Sequence, residues 1–137
     1  MVKQASLQPL LEMARKDFLE TEVFPIADRI DAQEEGLMRE LLEKSGELGL
    51  LGIAIPEEYE GFGQNFITTM YASEIMGSGY SYAVAYSCHT GIGTLPILYY
   101  GNEEQRAKYI PKLANLCSWV LLNSCATMSY EYLRILL

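Results

Sequence analysis

The stretch SYAVAYSCHTGIGTLPILYYG, from Ser81 to Gly101, decides the fold of this chain. It lies inside a longer uncharged run, because no Asp, Glu, Lys or Arg occurs between Glu74 and Glu103. Glycines, a proline and several Ser and Thr residues interrupt the apolar ones, so no window of about 20 residues is hydrophobic enough to favour a lipid bilayer. The stretch therefore predicts a helix that is buried at the centre of an α-helical bundle and does not span a membrane.

Small side chains along this predicted helix leave free volume beside it. They are Ala83, Ala85, Ser87, Gly91 and Gly93. Either a neighbouring helix or a ligand can fill such volume, and the residue pattern leaves both alternatives open.

The size and composition are those of a single folded domain. The chain has 137 residues, of which 50% are hydrophobic, so it can bury a core without disulfides and is too apolar to be disordered. The formal net charge is −8, which would repel the phosphate backbone of a nucleic acid. Cys88, Cys117 and Cys125 lack metal-ligand spacing, and no secretory leader follows Met1. These features favour a reducing, cytoplasmic compartment.

Two amphipathic helices are predicted in the first third of the chain. The first covers residues 7–30 and should kink or split near Phe24, because Pro25 lacks an amide hydrogen and clashes with the preceding turn. The second covers residues 38–48 and is expected to end at Gly52.

The middle of the chain combines turn residues with a third helical pattern. Residues 53–63 contain one proline and two glycines and predict an irregular but ordered loop. Asn65 is expected to cap a third helix. Glu74 falls on the same stripe as Met70 and Tyr71, which predicts a partly buried carboxylate that needs a partner, in a structural rather than a catalytic role.

A further short helix is predicted after the central stretch. Asn102 is a suitable N-cap for residues 103–110, whose acidic first turn and later basic residues match the helix dipole. Pro111 is expected to end or bend this helix.

No familiar catalytic, cofactor-binding or metal-binding signature is present. Cys88 and His89 are sequence neighbours, so their side chains diverge on a helix and do not form a nucleophile and base pair. The chain has a single histidine, which is best interpreted as a helix residue with a satisfied hydrogen bond. The glycine pairs at 61 and 63 and at 91 and 93 are too few for a phosphate-binding loop.

Three segments in succession carry a family resemblance. They are GELGLLGIAIPEEYEGFGQ (46–64), ASEIMGSG (72–79) and HTGIGTLPILYYGNEEQRAKYIPKLA (89–114). Their order and spacing resemble the amino-terminal helical domain of the flavin-dependent acyl-CoA dehydrogenases. The resemblance implies an all-α, up-and-down helical bundle over residues 1–114, followed by a divergent, irregular tail over residues 115–137.

The resemblance also implies an activity, a cofactor and partners. The family desaturates acyl-CoA thioesters at the α,β bond in fatty-acid or amino-acid catabolism: a glutamate removes the α-proton while a hydride passes from the β-carbon to FAD. Electrons then pass to an electron-transferring flavoprotein, and family members are commonly oligomers.

The resemblance places three residues of the central helix on the acyl-chain cavity. Ala85, Cys88 and Ile92 match the family positions that line it. They are spaced about one or two helical turns apart and have small or medium side chains, so they can share one face and border a narrow apolar slot. The alternative is that they pack only against other helices.

The residues after Ala114 depart from the family pattern. The family continues with a strand that ends in a Leu-Thr-Glu-Pro motif and holds the flavin, whereas here Lys112-Leu-Ala114 is followed by Asn-Leu-Cys-Ser-Trp. This departure predicts a frameshift or truncation near Ala114, a chain that binds no FAD by itself, and no turnover in isolation. The alternative class is a non-catalytic helical interaction module, or a subunit completed by a second polypeptide.

Overall fold

A computed structural model describes residues 14–115, together with Pro9, and every regular element in this part of the chain is helical. The predicted all-α bundle is therefore confirmed. Two π-helical segments cover Ala14–Val23 and Cys88–Gly93. The α-helices are α1 (Ala27–Asp31), α2 (Leu37–Glu47), α3 (Phe66–Met76), α4 (Ser81–Ser87), α5 (Leu95–Tyr100) and α6 (Glu103–Ala114). The predicted tail lies outside the described residues from position 116 onward.

The first predicted helix is split at its proline, as expected. The π-helical segment Ala14–Val23 ends where Pro25 begins a 3-10 turn, Phe24–Ile26, and α1 follows at once. Because proline has no amide hydrogen, it is accommodated in the first turn of a new helical segment more readily than inside one. The predicted beginning of this helix, before residue 14, lies outside the described part apart from Pro9.

The predicted end of α2 is wrong by one turn. The helix ends at Glu47, and Gly49 has φ +77°, a left-handed conformation that glycine adopts without strain. Gly52 instead ends a following 3-10 turn, Leu50–Gly52. The helix buries Leu41 and Leu42 against the core.

Residues 53–63 form the ordered loop that the sequence predicts. Backbone amides fold it back on itself: Phe62 N donates to Gly52 O at 3.0 Å and Gly63 N donates to Ile55 O at 2.7 Å. A Cβ at Gly61 would collide with the carbonyl oxygen of Ile55, so only glycine fits there.

The central helix comprises residues 81–100, which are α4, the π-helical segment and α5. α4 packs against α1, α2 and α3, while α5 packs against α6. One face is buried through Tyr82, Tyr86, His89, Gly93, Thr94, Ile97 and Leu98. The expectation of burial on every side is wrong, since Val84 and Ile92 are 64% and 59% exposed. The other described helices therefore pack against only one side of the central helix, although its sequence is uncharged on every side.

The last described helix, α6, is longer than predicted. Asn102 and Gln105 form the capping box at its start, which confirms the predicted N-cap. Pro111 does not end the helix, which continues to Ala114. A proline removes one backbone hydrogen bond, and the burial of Ile110, Leu113 and Ala114 in the core offsets that cost.

Candidate ligand-binding site on the central helix

The central helix is widened where the predicted site residues lie. Thr94 Oγ1 donates to His89 O, five residues earlier, at 2.7 Å, and Thr90 Oγ1 donates to Tyr86 O at 2.9 Å. Short π-helical segments inside α-helices are common at functional sites, because they redirect the side chains that follow. Cys88 and Ile92 both belong to this segment.

His89 ties the central helix to the end of α6. Its side chain is buried, and Nε2 donates to the carbonyl oxygen of Leu113 at 2.9 Å. A carbonyl only accepts, so Nε2 carries a proton, and in the neutral imidazole this is the Nε2–H tautomer. Burial lowers the pKa of His89 below its usual value of 6.5, against a smaller opposing effect of the bond to Leu113. The predicted role of a helix residue with a satisfied hydrogen bond is confirmed.

Two buried tyrosines fix the rotation of the central helix. Tyr86 Oη donates to Leu50 O at 3.1 Å, and burial raises the pKa of Tyr86 to about 12. Tyr82 packs against Phe18 with ring centroids 5.3 Å apart, and burial raises its pKa as well. Since these side chains point into the core, the residues on the other faces of the same helix are directed away from it.

The three predicted acyl-chain residues lie on this helix at different depths. Ala85 is half-buried and packs against the main core, Cys88 is half-buried with a free thiol, and Ile92 is exposed. None of them lines the cavity described next. Their contact with an acyl chain stays a prediction.

A cavity of about 280 Å³ lies on another side of the central helix, between this helix and α3. We call it the α3 cleft. Its lining residues are Ala54, Gln64, Phe66, Thr69, Met70, Ser73, Ser87, Thr90, Gly91, Leu95 and Tyr99. The small residues Ser87 and Gly91 indicated free volume beside the central helix in the sequence. The sequence did not indicate that residues of α3 would line the other side of this volume.

The α3 cleft is uncharged and offers few free donors. Thr69 Oγ1 donates to Asn65 O at 3.1 Å, Ser73 Oγ to Thr69 O at 3.0 Å, and Thr90 Oγ1 to Tyr86 O. These hydroxyl protons are therefore occupied by carbonyls of their own helices. The cleft suits an apolar group and does not suit a phosphate, which needs cationic side chains or free N–H donors.

Glu74 is exposed, so the prediction of a partly buried carboxylate is wrong. The stripe of α3 that holds Glu74 also holds Ile67 and Tyr71, which are exposed as well. The buried side of α3 is instead formed by Ala72 and Met76. No cluster of three or more His, Cys, Asp or Glu residues suited to a metal ion occurs within residues 14–115.

No helix in the described part of the chain combines the length and the hydropathy that a bilayer crossing requires.

Comparison with known proteins identifies the family. The domain described as "Acyl-CoA dehydrogenase, N-terminal domain" matches residues 5–116. A probable acyl-CoA dehydrogenase of Bacillus subtilis (strain 168) is 40% identical over 106 residues, which are 77% of this chain and 18% of that protein. The mitochondrial short-chain specific acyl-CoA dehydrogenase of Bos taurus is 33% identical over 102 residues, which are 74% of this chain and 24% of that protein.

A solved structure shares the fold as well as the sequence. The crystal structure of an acyl-CoA dehydrogenase complexed with FAD from Bacillus anthracis superposes with a TM-score of 0.76 at 35% identity. The match covers 81% of this chain and 19% of that one, so the chain spans only about a fifth of the length of such relatives. By sequence and by fold, this chain belongs to the acyl-CoA dehydrogenase family, as its N-terminal domain.

Proposed function

We propose that this chain is the N-terminal portion of an FAD-dependent acyl-CoA dehydrogenase and that its central helix lines one side of the acyl-chain cavity. The observation that carries the proposal is the family match over residues 5–116, together with the structural likeness to an FAD-complexed family member. The activity would be α,β-desaturation of an acyl-CoA thioester in fatty-acid or amino-acid catabolism. A cytoplasmic location, an oligomeric enzyme and an electron-transferring flavoprotein as acceptor belong to the same proposal.

Ala85, Cys88 and Ile92 are the residues proposed to contact the acyl chain. Each is uncharged, and no charged residue lies between Glu74 and Glu103, so this side of the helix is apolar along its length. Burial of an acyl chain on such a surface contributes about 0.8 kcal/mol for each methylene group. The exposure of Ile92 leaves it accessible to a partner surface or a ligand.

The α3 cleft does not by itself fit FAD. It is lined without a charged side chain, and three of its hydroxyls already donate to backbone carbonyls. The pyrophosphate of FAD favours cationic side chains or the free amides of a helix N-terminus, and this lining has no cationic side chain. We propose that the flavin is held by parts of the enzyme other than the described residues. Residues 1–114 form a domain whose role is to line the cavity for the acyl chain of the substrate.

A second candidate is a non-catalytic helical module or a subunit that a second chain completes. It is favoured by large apolar side chains that stand exposed on α3 and the central helix. Among the described residues they include Phe66, Ile67, Met70, Tyr71, Val84, Ile92, Tyr99 and Tyr100. Of these, Phe66, Met70 and Tyr99 border the same cleft, and clustered exposed apolar side chains are characteristic of interaction sites.

The test is the flavin content of the chain alone and together with the rest of a relative. The purified chain is mixed with the portion of the Bacillus subtilis relative that follows its N-terminal domain, and flavin absorbance is recorded before and after addition of an acyl-CoA. A complex that turns yellow, and whose flavin absorbance bleaches on addition of acyl-CoA, supports the proposal that the chain is part of an acyl-CoA dehydrogenase. A chain that binds the second portion yet never gains flavin supports the proposal of a non-catalytic module.

Matched variants locate the acyl contact. Ile92→Asp should raise the acyl-CoA concentration needed for bleaching, because it places a carboxylate on the proposed cavity side. Val84→Asp introduces the same charge on the same helix at a position outside the proposed set, and it serves as the control. If both variants need the same acyl-CoA concentration for bleaching, Ile92 does not contact the acyl chain.

A further inference from the structure

The buried side of the central helix changes along its length. Tyr82 and Tyr100 are eighteen residues apart, which is five turns of about 3.6 residues each, so a continuous α-helix would direct them to the same side. Tyr82 is fully buried, whereas Tyr100 is 84% exposed. The side that faces the core before the π-helical segment is therefore not the side that faces it afterwards.

The change occurs between His89 and Thr94. Both side chains are buried, although they are five residues apart, which in a regular α-helix corresponds to a rotation of about 140°. On either side of this step the buried side chains recur at the three- or four-residue spacing of an α-helix. They are Tyr82, Tyr86 and His89 before it, and Thr94, Ile97 and Leu98 after it. The π-helical turn between the two sets accommodates the extra residue.

A side-chain hydrogen bond closes this widened turn. Thr94 Oγ1 donates to the carbonyl oxygen of His89, five residues earlier, at 2.7 Å, and Thr94 is only 1% exposed. Thr90 Oγ1 instead donates to Tyr86 O, four residues earlier, which is the usual span within an α-helix. The bond of Thr94 is formed out of contact with water, where hydrogen bonds are stronger.

The widened turn changes the direction of Ile92. Ala85, Cys88 and Ile92 have the i, i+3 and i+7 spacing that shares one stripe of a regular α-helix. In the structure, Ala85 and Cys88 are half-buried while Ile92 is 59% exposed. Ile92 lies within the π-helical segment, where each residue advances less around the helix axis than in an α-helix. The turn therefore directs Ile92 away from the other two residues and out of the core.

We propose that Thr94 is a positioning residue: the bond from its hydroxyl to His89 O keeps the turn open and directs Ile92 outward, to the side proposed for the acyl chain. What Ile92 meets there rests on the proposed function, whereas its direction does not. Without the hydroxyl the segment tightens toward an α-helix. Ile92, three residues after the buried His89, then returns toward the core.

The direction of Ile92 is measured by thiol labelling of the full chain. The three cysteines at positions 88, 117 and 125 are replaced by serine, and a single cysteine is then introduced by Ile92→Cys or by Val84→Cys. Val84 is the matched control, because it lies on the same helix before the widened turn and is 64% exposed. The rate of reaction with a maleimide is compared between the two sites.

Four residues at position 94 isolate the hydroxyl. The unmodified Thr94 is compared with Thr94→Val, which retains the shape of the side chain, and with Thr94→Ser, which retains the hydroxyl. Thr94→Ala and Thr94→Ser both lose the methyl group, so this pair decides the question if the valine variant does not fold.

The hydroxyl-free variants should label more slowly at position 92. In Thr94→Val and Thr94→Ala the rate should fall by about two- to tenfold, the factor that one net hydrogen bond contributes to an equilibrium. Thr94→Ser should retain the rate of the unmodified chain, and labelling at position 84 should stay constant throughout. An unchanged rate at position 92 in Thr94→Ala, or an equal change at position 84, would overturn the proposal.

Bleaching of the flavin complex by acyl-CoA separates this inference from the proposed function. Thr94→Val should raise the acyl-CoA concentration needed for bleaching, and Thr94→Ser should leave it unchanged. Slower labelling at position 92 together with an unchanged bleaching concentration would support the role of Thr94 in directing Ile92, and it would contradict the acyl contact of Ile92.

Discussion

His89 is expected to account for a measurable share of the stability of the bundle. Its Nε2 donates to the carbonyl of Leu113, which lies in the last turn of α6. His89→Leu removes the donor of this buried hydrogen bond, which costs about 1–3 kcal/mol. His89→Gln retains an N–H donor of similar reach and is expected to recover part of that loss.

The same residue predicts a dependence of stability on pH. Burial holds the pKa of His89 below 6.5 in the folded chain, so between the folded and unfolded pKa values the unfolded chain binds more protons. The stabilising contribution is therefore complete above the unfolded pKa of about 6.5 and is lost as the pH falls through the folded pKa. His89→Gln lacks this titration and should show a flatter profile below about pH 6.5.

Urea unfolding followed by far-ultraviolet circular dichroism at several pH values measures both effects. The expected order of stability near neutral pH is the unmodified chain, then His89→Gln, then His89→Leu. A His89→Leu variant as stable as the unmodified chain would contradict the buried hydrogen bond. A His89→Gln variant with an unchanged pH slope would show that other groups cause the acid sensitivity.

Three further substitutions test the local structure by the same unfolding assay. Gly61→Ala should destabilise the chain by about 1–3 kcal/mol or more, because its Cβ collides with the carbonyl of Ile55. Gly77→Ala is the control and should be tolerated, because a Cβ at Gly77 meets nothing within 4 Å. Similar losses of stability for both variants would refute the packing argument. Asn102→Ala should cost about 1 kcal/mol by removing the capping box of α6, and an unchanged midpoint would contradict that cap. Tyr82→Phe should be close to neutral, because among the described residues the buried hydroxyl of Tyr82 has only an interaction with the side chain of Ser45 and no hydrogen bond of regular geometry. Tyr86→Phe should cost about 1 kcal/mol, since it removes the donor to the carbonyl of Leu50. A larger loss for Tyr82→Phe than for Tyr86→Phe would contradict this account.

Features that depend on local chemistry could be predicted from the sequence. Pro25 splits the first helix because of its own ring, and Asn65 and Asn102 accept hydrogen bonds from amides three residues away. The family resemblance followed from the order of three segments, and the match to residues 5–116 confirms it. None of these requires knowledge of what packs against the helix.

Features that depend on distant packing could not be predicted. Glu74 shares an apolar stripe that turned out to face solvent, since the side of α3 that meets the core is set by Ala72 and Met76. Pro111 was expected to end or bend α6, and the helix does not end there but continues to Ala114, because Ile110 and Leu113 on either side of the proline are buried in the core. For the site, the small residues of the central helix indicated free volume, but no local pattern indicated that Phe66 and Met70 would form the opposite side.

The buried bonds of the central helix determine which of its residues remain available to a ligand or a partner. Its buried face is held by the bonds of Tyr86 and His89, so its rotation is fixed. Val84 and Ile92 consequently lie on its outer faces, where they are 64% and 59% exposed. Large apolar side chains in such positions favour contact with the remainder of an enzyme or with a partner. The same two bonds that stabilise the bundle therefore also orient the residues proposed to meet the acyl chain.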